Sequence, residues 1–519
     1  MATSLKARLV VGLLLIGSAL LAACSKPQDR GRLQGAAVPD EVIANKLARQ
    51  HAPALSAATN SQILFGDLHV HTTFSPDAFI MSVPLMGGSG LHPPADACDF
   101  ARYCSSLDFW SINDHAEGIT PRRWAESRES IRECNRVAGD PDNPDLVAFL
   151  GWEWSQVNTD PAQHYGHKNV IFLDTEDDRV PSRAIAAPRA QLATAPIGRA
   201  AQWMMSLRDF ENREFYWGIQ QYYDEVAATP ICEKAVDTRE LPIDCLEIAD
   251  DPRELFTKLD QWGFDSIVIP HGNAWGMNTP AGTSFDKQLN RAQHDPDRQL
   301  LFEVYSGHGN SEEYRDWDPV EVSEAGVTCP PPTPDYLPSC WHAGELIRER
   351  CLEVGEAEEE CESRAVVARE RYVAGGLGGR NVVPGETVAD WLDAGQCKDC
   401  FLPAFNYRPK GSAQYIAAMR NFDEPDGPDR FRFGFIASSD THTARPGTGY
   451  KEFARTSMSD QSGPTSQTMY DFMFPKADPA PESVPWDPSA VDGLGAIRNS
   501  EFERQNSFWL TGGLAAVHA

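Results

Sequence analysis

The chain has 519 residues and a formal net charge of −29 at pH 7. A surface this acidic repels polyanions over long distances, which argues against nucleic acid as a partner and is compatible with a site that binds cations. The length can bury a large core, either as two or three domains or as one barrel with insertions.

The first residues have the character of a secretory signal. Lys6 and Arg8 precede an apolar stretch that is too short for a confident membrane span. The Leu-Ala-Ala-Cys sequence ending at Cys24 resembles the lipobox of bacterial lipoproteins, in which the cysteine is lipidated; the alternative is an ordinary cleaved signal with an incidental cysteine. We therefore expect a signal over residues 1–24, a polar tether over residues 25–60, and a lipid-anchored protein of the cell envelope that faces the periplasm or the outside.

Seven short apolar runs in the remaining sequence predict strands. Each is rich in Ile, Val, Leu or Phe and is more continuous than alternating, as expected of strands buried on both faces of a parallel sheet. Helix-prone segments at 121–137, 199–208 and 253–262 lie between several of them. This succession predicts an α/β fold, specifically a (β/α) barrel. The runs are 63–65, 107–112, 146–150, 169–173, 266–269, 300–305 and 433–437.

Two long insertions interrupt this pattern, and a C-terminal segment follows it. The insertion at about 175–260 is mostly helical in composition, and the one at about 312–427 contains a helix-prone stretch over 345–371 and six of the cysteines. The insertions either decorate the rim of the barrel or wall its pocket and select the substrate. We assign residues 61–455 to the barrel with its insertions and residues 456–519 to a C-terminal extension packed on it.

The chain contains twelve cysteines. Several fall in close pairs, namely Cys232 with Cys245, Cys329 with Cys340, Cys351 with Cys361, and Cys397 with Cys400. In an exported chain such pairs favour disulfides over zinc–thiolate sites, although the sequence leaves their connectivity and a redox role for the last pair open. Apart from the lipobox cysteine, eleven remain and cannot all pair. We expect an unpaired thiol among Cys98, Cys104 and Cys134.

Side chains that bind metals accompany the strand ends. The first predicted strand leads into Asp67-Leu68-His69-Val70-His71, and histidines at i and i+2 on an extended chain point to the same side and can bind one ion. Taken singly such motifs arise by chance, but six of the thirteen histidines and three carboxylates occupy these positions. Imidazole and carboxylate without thiolate suit Zn, Mn or Fe, and nine ligands exceed the needs of one ion, so we predict two or three divalent ions. The candidate ligands are His69, His71, Asp77, His115, Glu153, His167, His271, Asp440 and His442.

The order of these motifs resembles that of the PHP (polymerase and histidinol phosphatase) superfamily, and the chain looks like an uncharacterised branch of unknown function found in bacterial lipoproteins. The resemblance runs from about residue 66 to residue 445. It rests on the HxH pair, the Asp-His at 114–115, the Gly-Trp-Glu at 151–153, a His before an apolar strand, the Pro-His at 270–271 and the Ser-Asp-Thr-His at 439–442. It implies a distorted seven-stranded (β/α) barrel with a trinuclear site at the carboxyl ends of the strands.

The resemblance also implies how the ligands divide among three ions. Glu153 would bridge the first and second ions. Family members often place the acid or histidine of the first motif one residue earlier than Asp77, so the sequence departs from the family pattern at that position. The first ion would be held by His69, His71, Glu153 and Asp440, the second by Glu153, His167 and His271, and the third by Asp77, His115 and His442.

The expected activity is metal-dependent hydrolysis of small phosphate esters. A metal-bridged water has a lowered pKa and can attack the ester phosphorus in line, so no side-chain nucleophile is required. Glu153 and Asp440 are the catalytic candidates at the ions, and His308 is a candidate for contacting or protonating the leaving group. Candidates for binding the small anionic ester are Lys168, Arg445 and Asn310. The last four residues suit ordinary surface charge or turn structure equally well.

Other functions remain open. The same site could hydrolyse a sulfate ester, a phosphodiester or an amide. Amidohydrolases also begin with an HxH pair, but they typically end with a lone Asp, whereas this chain ends with Asp440-Thr441-His442 and has Glu153 where a bridge is needed. From a different class, the chain could be a non-catalytic metal-binding lipoprotein of the envelope. Asp114 and Glu117 either orient ligand histidines through hydrogen bonds or are solvated loop charges.

Overall fold

The computed structural model describes residues 29–50, 62–84, 88–188, 198–274, 279–307, 309–311, 317–391, 394–395, 408–423, 429–448, 477–487 and 512–518. Structural statements below concern these residues. The whole predicted signal, including Cys24, lies outside them, and so do His308, Cys397 and Cys400; of the predicted tether, residues 29–50 are described.

All seven apolar runs form strands, so this part of the prediction is confirmed. In the numbering of the strands given next, the runs are β1, β2, β3, β4, β7, β8 and β12. The strands are β1 Ile63–Val70, β2 Phe109–Ile112, β3 Val147–Gln156, β4 Gly166–Phe172, β5 Ile185–Ala186, β6 Glu247–Ile248, β7 Ser266–His271, β8 Leu301–Ser306, β9 Gly309–Asn310, β10 Glu321–Ser323, β11 Gly326–Thr328, β12 Gly434–Ala437 and β13 Ala515–His518.

The three helix-prone segments between strands are also helical, and their ends have local causes. The helix that follows β2 has Thr120 as its N-cap, and the Thr120 side chain accepts a hydrogen bond from the Arg123 amide. The first turn of this helix contains a proline. The helix before β7 begins behind Asp251 in the same way and ends at Gly263, which adopts φ 70°. The α-helices are α1 Asp40–Gln50, α2 Pro76–Ser82, α3 Pro94–Tyr103, α4 Pro121–Val137, α5 Arg199–Arg208, α6 Arg213–Ala228, α7 Pro252–Trp262, α8 Ser339–Glu353, α9 Glu358–Ala374 and α10 Ala413–Ala418.

A curled six-stranded sheet in the order β13-β1-β2-β3-β4-β7 forms the centre of this mixed α/β fold. Strands β1, β2 and β3 are parallel, β13 is antiparallel to β1, and β4 is antiparallel to both of its neighbours. The expectation of a parallel sheet is therefore wrong for β4. Its reversal brings the start of β4 to the edge where β3 and β7 end.

A second sheet of three strands has the order β12-β8-β9, with β12 parallel to β8. The chain after β12 lies beside β1, where the Asp440 amide donates to the His69 carbonyl and the His71 amide donates to the Thr441 carbonyl. A single closed barrel of seven strands is not confirmed, because the seven predicted strands lie in two separate hydrogen-bonded sheets of the described chain. Strands β5 and β6 form one small pair, and β10 and β11 form another.

The main core lies between the six-stranded sheet and the helices α3, α4 and α7. Trp152 and Trp154 of β3 are completely buried in it, and the ring of Trp152 packs edge-on against Trp124 of α4 at 5.2 Å. Burying side chains of this size contributes roughly 2–3 kcal/mol each. Since side chains alternate along a strand, Glu153 between the two tryptophans points to the opposite face, into the curl of the sheet.

Four disulfides confirm the prediction that the cysteines pair. Cys98–Cys134 joins α3 to α4, and the other three lie in the two insertions. Among the cysteines that the structure describes, Cys104 is the free thiol, and it is exposed. Disulfides persist in oxidising compartments, so they indicate a protein that functions outside the reducing cytoplasm. Among the described residues, no helix combines the length and the apolar character that crossing a bilayer requires.

The first insertion contributes directly to the surroundings of the site. Its helix α6 lies against the loop that follows β1, where the Tyr222 hydroxyl donates to the Phe74 carbonyl at 2.7 Å. Tyr222 and Tyr223 pack with Phe79 and Ile80 of α2. The second insertion contains the pair α8 and α9, which the Cys351–Cys361 disulfide joins.

Candidate metal centre

The end of β1 is held to the loop that carries Asp440 by one completely buried carboxylate. Asp67 accepts hydrogen bonds from the backbone amides of Gly447 at 2.7 Å, Ser439 at 3.0 Å and His69 at 3.3 Å. Burial raises the pKa of Asp67 to about 6, although these hydrogen bonds oppose the shift. Asp440 has φ 52°, a left-handed conformation that is uncommon for a residue other than glycine. The backbone around Asp440 is therefore closely constrained.

The two histidines of the HxH motif face one another and two carboxylates. Their Nε2 atoms lie 3.0 Å apart, and Asp440 Oδ1 lies 3.1 Å from Nε2 of His69 and 3.2 Å from that of His71. Glu153 Oε2 lies 3.7 Å and 3.3 Å from the same two nitrogens. Ligand atoms that converge in this way suit a common divalent ion, because a hydrogen bond between two imidazoles would use only one of these contacts.

Glu153 occupies the middle of the cluster and is completely buried. Besides its contacts with the HxH pair, Oε2 lies 2.9 Å from His115 Nδ1. Its other oxygen, Oε1, lies 2.6 Å from His167 Nδ1 and 3.0 Å from His271 Nε2. The reversal of β4 explains this second group, because it pairs His167 directly with His271 across β4 and β7. Glu153 thus presents one oxygen to each of two groups of imidazoles.

A third group surrounds Asp77, which lies in the first turn of α2. Asp77 Oδ2 is 3.1 Å from Nε2 of both His115 and His442, and the ring of His442 stacks on His71 at 4.2 Å. The side chain of Asp77 is 42% exposed, whereas those of His115 and His442 are 13% exposed. The cluster therefore extends from the buried interior to the surface at Asp77.

The structure brings together all nine residues that the sequence predicted as ligands. Several sets of described side chains place ligand atoms close enough to hold an ion. They are His71 with His115 and His442; His69 with His71 and Glu153; His69 with His271 and Glu303; and Glu153 with His167 and His271.

The charges of the cluster depend strongly on one another. Burial opposes ionisation of Glu153, but His115 and His167 outweigh it and hold the pKa of Glu153 well below its ordinary value. Burial, His442 and His115 lower the pKa of His71 to about 3. Burial also opposes the charged form of His442, yet Asp77 and Asp440 raise its pKa to about 9. Some imidazoles are thus neutral and ready to bind an ion, and others carry a proton that an ion has to displace.

The Nδ1 atom of His71 has a partner of its own on the side away from the cluster. Ser75 Oγ lies 2.9 Å from His71 Nδ1 and donates to Asp114 Oδ1 at 2.8 Å. Because the hydroxyl proton goes to Asp114, Ser75 accepts a hydrogen from His71 Nδ1, and His71 Nε2 keeps its lone pair for the cluster. Asp114 therefore orients the candidate ligand His71 through Ser75, in agreement with the first of the two interpretations left open by the sequence. Glu117 instead accepts from the Ser155 and Ala187 amides.

Glu303 is a member of the cluster that the sequence prediction omitted. It lies on β8, and its carboxylate approaches His69 Nδ1 at 3.1 and 3.2 Å. The signal that could have identified it is a carboxylate inside an otherwise apolar run, since such a residue needs a buried partner.

The predicted substrate contacts have different outcomes. Lys168 is paired with Trp154 across β3 and β4, on the face opposite to Glu153 and His167, and its ammonium donates to the Tyr165 carbonyl at 3.0 Å. That position does not support a contact between Lys168 and a substrate at the cluster, because residues adjacent along a strand point to opposite faces.

The other three candidates for substrate contacts are Arg445, Asn310 and His308. Arg445 is half-buried in the loop after His442, and within the described part of the chain its guanidinium pairs with no carboxylate. The backbone of Asn310 pairs with Tyr305 in the second sheet. The predicted role of His308 lies outside the described residues.

Comparison with known proteins adds no assignment. No protein-family model matches the chain, and neither does any curated protein or solved structure. The resemblance to the PHP superfamily rests on the order of the sequence motifs alone.

Proposed function

We propose that this protein is a metal-dependent hydrolase of small phosphate esters that uses a polynuclear site. The observation that carries the proposal is the position of Glu153. Its two buried oxygens lie within 4 Å of five imidazoles, those of His69, His71, His115, His167 and His271. A carboxylate with one oxygen toward each of two histidine groups is suited to bridging two ions.

The donor set supports an assignment of ligands to three ions. The first ion would be held by His69, His71, Glu153 and Asp440, the second by Glu153, His167 and His271, and the third by Asp77, His115 and His442. Imidazole and carboxylate donors suit Zn, Mn or Fe, and the identity of the metal is not part of the proposal. Bound ions would lower the pKa of a water between them and neutralise the oxygens of a phosphate group.

We expect the substrate to enter the cluster, and its anionic group to be bound, on the side where Asp77 lies. The exposure of the Asp77 side chain supports entry of the substrate there, because His115 and His442 are only 13% exposed and the other proposed ligands are buried. Arg445 follows His442 by three residues and has no carboxylate partner in the described chain, which supports a role in binding the anionic ester. Lys168 has no part in the proposal.

We also propose how the two main sheets fit together and where the protein is located. Strands β1, β2, β3, β4, β7, β8 and β12 would together form a distorted barrel of the PHP kind. Two contacts between the sheets support this arrangement: the Val268 amide donates to the Arg298 carbonyl before β8, and the Asp440 amide donates to β1. The disulfides agree with an envelope protein, and Cys24 would anchor it by a lipid.

The test combines metal analysis with a substrate panel. The purified protein should contain at least two ions per chain by mass spectrometry and should hydrolyse p-nitrophenyl phosphate faster than the corresponding diester, sulfate or acetanilide. Glu153→Gln should abolish this activity. If the diester, the sulfate or the anilide is hydrolysed faster, that compound represents the substrate class and phosphate monoesters do not. Bound ions without hydrolysis of any of these substrates would favour the non-catalytic metal-binding alternative, and fewer than two ions would contradict the centre itself.

A further inference from the structure

Glu303 has a contact that the proposed function does not use. Its side chain is 2% exposed, and both of its oxygens face Nδ1 of His69, at 3.1 and 3.2 Å. The opposite nitrogen of the same ring, Nε2, faces Asp440 and Glu153. The imidazole of His69 therefore lies between Glu303 on one side and the proposed first ion site on the other.

We propose that Glu303 is a positioning residue for the first ion: it holds the imidazole of His69 with the proton on Nδ1, so that Nε2 is the metal-binding nitrogen. This inference rests on the proposed metal centre. An ionised carboxylate can only accept hydrogen bonds, so a carboxylate at this distance requires the proton on Nδ1. Nε2 faces Asp440 Oδ1 at 3.1 Å, so in the metal-free protein Asp440 favours a proton on that nitrogen as well, and the two carboxylates raise the pKa of His69 although burial opposes the shift. An ion between Nε2 and Asp440 would displace the Nε2 proton, while Glu303 keeps the proton on Nδ1.

The neighbouring histidine has the same arrangement with a weaker partner. His71 Nδ1 is held by the neutral hydroxyl of Ser75, which donates onward to Asp114. Both histidines of the motif therefore present Nε2, but only in His69 does a carboxylate bind Nδ1 directly. A charged acceptor orients the ring more firmly and makes its free nitrogen a better donor to a cation. We expect the loss of Glu303 to weaken metal binding more than the loss of the Ser75 hydroxyl.

A second reading of the same geometry makes Glu303 a ligand, because His69, His271 and Glu303 place ligand atoms close together. The directions of the contacts oppose it. An ion held by Glu303 at Nδ1 of His69, together with the proposed first ion at Nε2, would require one imidazole to lose both of its protons. With Nδ1 protonated, a single neutral ring satisfies both neighbours.

The experiment compares three variants of the full chain: Glu303→Ala, Glu303→Gln and, as the matched control, Ser75→Ala. The readouts are ions per chain by mass spectrometry, affinity for Zn²⁺ from competition with a chelator, and the tautomer of His69 from two-bond ¹H–¹⁵N correlations in metal-free protein labelled at histidine. The correlations are recorded at a pH high enough for the ring to be neutral, because the neighbouring carboxylates raise the pKa of His69. We expect Glu303→Ala to weaken the binding of one ion roughly 10- to 100-fold and to disturb the tautomer. Glu303→Gln should keep the tautomer and recover part of the affinity, because the amide oxygen still accepts from Nδ1. Ser75→Ala should have the smaller effect.

The inference fails if Glu303→Ala binds ions with unchanged affinity or leaves the His69 proton on Nδ1. It also fails if the alanine and glutamine variants both lose one whole ion while the tautomer is retained, since that result identifies Glu303 as a ligand. None of these readouts requires a substrate. Absence of hydrolysis by the wild-type protein would therefore contradict the proposed function and leave this inference standing.

Discussion

The replacement Glu153→Gln tests the centre most directly, because it removes one charge and almost no volume. Glu153 is completely buried, and its oxygens approach His167 at 2.6 Å, His115 at 2.9 Å and His271 at 3.0 Å. Glutamine keeps one oxygen but places an amide group, which is a donor, where the other oxygen faces imidazoles and the expected ions. The substitution therefore removes the bridge and keeps the packing of Trp152 and Trp154 on the opposite face.

The magnitude follows from Coulomb's law. One unit charge about 4 Å from another contributes about 4 kcal/mol at an effective dielectric constant near 20. Since about 1.4 kcal/mol corresponds to a factor of ten, the loss should weaken at least one ion roughly 10³-fold. The second ion should suffer most, because Glu153 is one of only three ligands proposed for it.

The assay is isothermal titration with Zn²⁺ together with ion counting after dialysis. Glu117→Gln is the matched control, because Glu117 is also buried and close to the cluster, but its described hydrogen bonds come from the backbone amides of Ser155 and Ala187. His271→Ala should lose the second ion alone, with its circular dichroism unchanged. If Glu153→Gln binds as many ions as the wild type, with affinities within a factor of three, the bridging role is wrong.

Two further results are expected. The raised pKa values of His442, about 9, and of His115 mean that both are largely protonated at pH 7, whereas a ligand imidazole has to be neutral. Binding an ion there should release protons, and the affinity should rise with pH up to about 9; titration heats that do not depend on the ionisation enthalpy of the buffer would contradict this. The disulfide Cys98–Cys134 closes a 36-residue separation, so its removal by Cys98→Ser should lower the free energy of unfolding by about 4 kcal/mol in denaturant titrations. The control Cys104→Ser removes a free exposed thiol and should leave that free energy unchanged.

The sequence is most informative where chemistry and local structure depend on neighbouring residues. Continuous apolar runs predict strands, and all seven predicted runs are strands. Strands β2 and β4 are buried along their whole length, as such runs predict, whereas β12 is largely exposed. The ligands could be predicted for a related reason. A histidine or carboxylate at the end of such a run has few roles in a buried position unless it binds something, so His69, Glu153 and His271 could be identified from the sequence.

Other features depend on pairings between distant segments. Whether β4 runs parallel or antiparallel to β3 is decided by the connection and by packing, and an apolar run reads the same in both directions. The direction of β4 determines which of its faces meets the cluster. His167 lies on that face, and Lys168, the next residue, lies on the other. The pairing of Cys98 with Cys134, which leaves Cys104 free, likewise depends on how α3 packs on α4.

What the sequence by itself determined is seven of the strands and the nine candidate ligands, because both are marked by residue types in short windows; β13, at the edge of the central sheet, was not predicted. Only the tertiary structure decided the direction of β4, the two-sheet arrangement, the central position of Glu153 and the contact between Glu303 and His69. Glu303 is 234 residues from His69 in the chain. The apolar residues around Glu303 indicate that it needs a buried partner, but which residue that partner is depends on which strand ends the fold brings together.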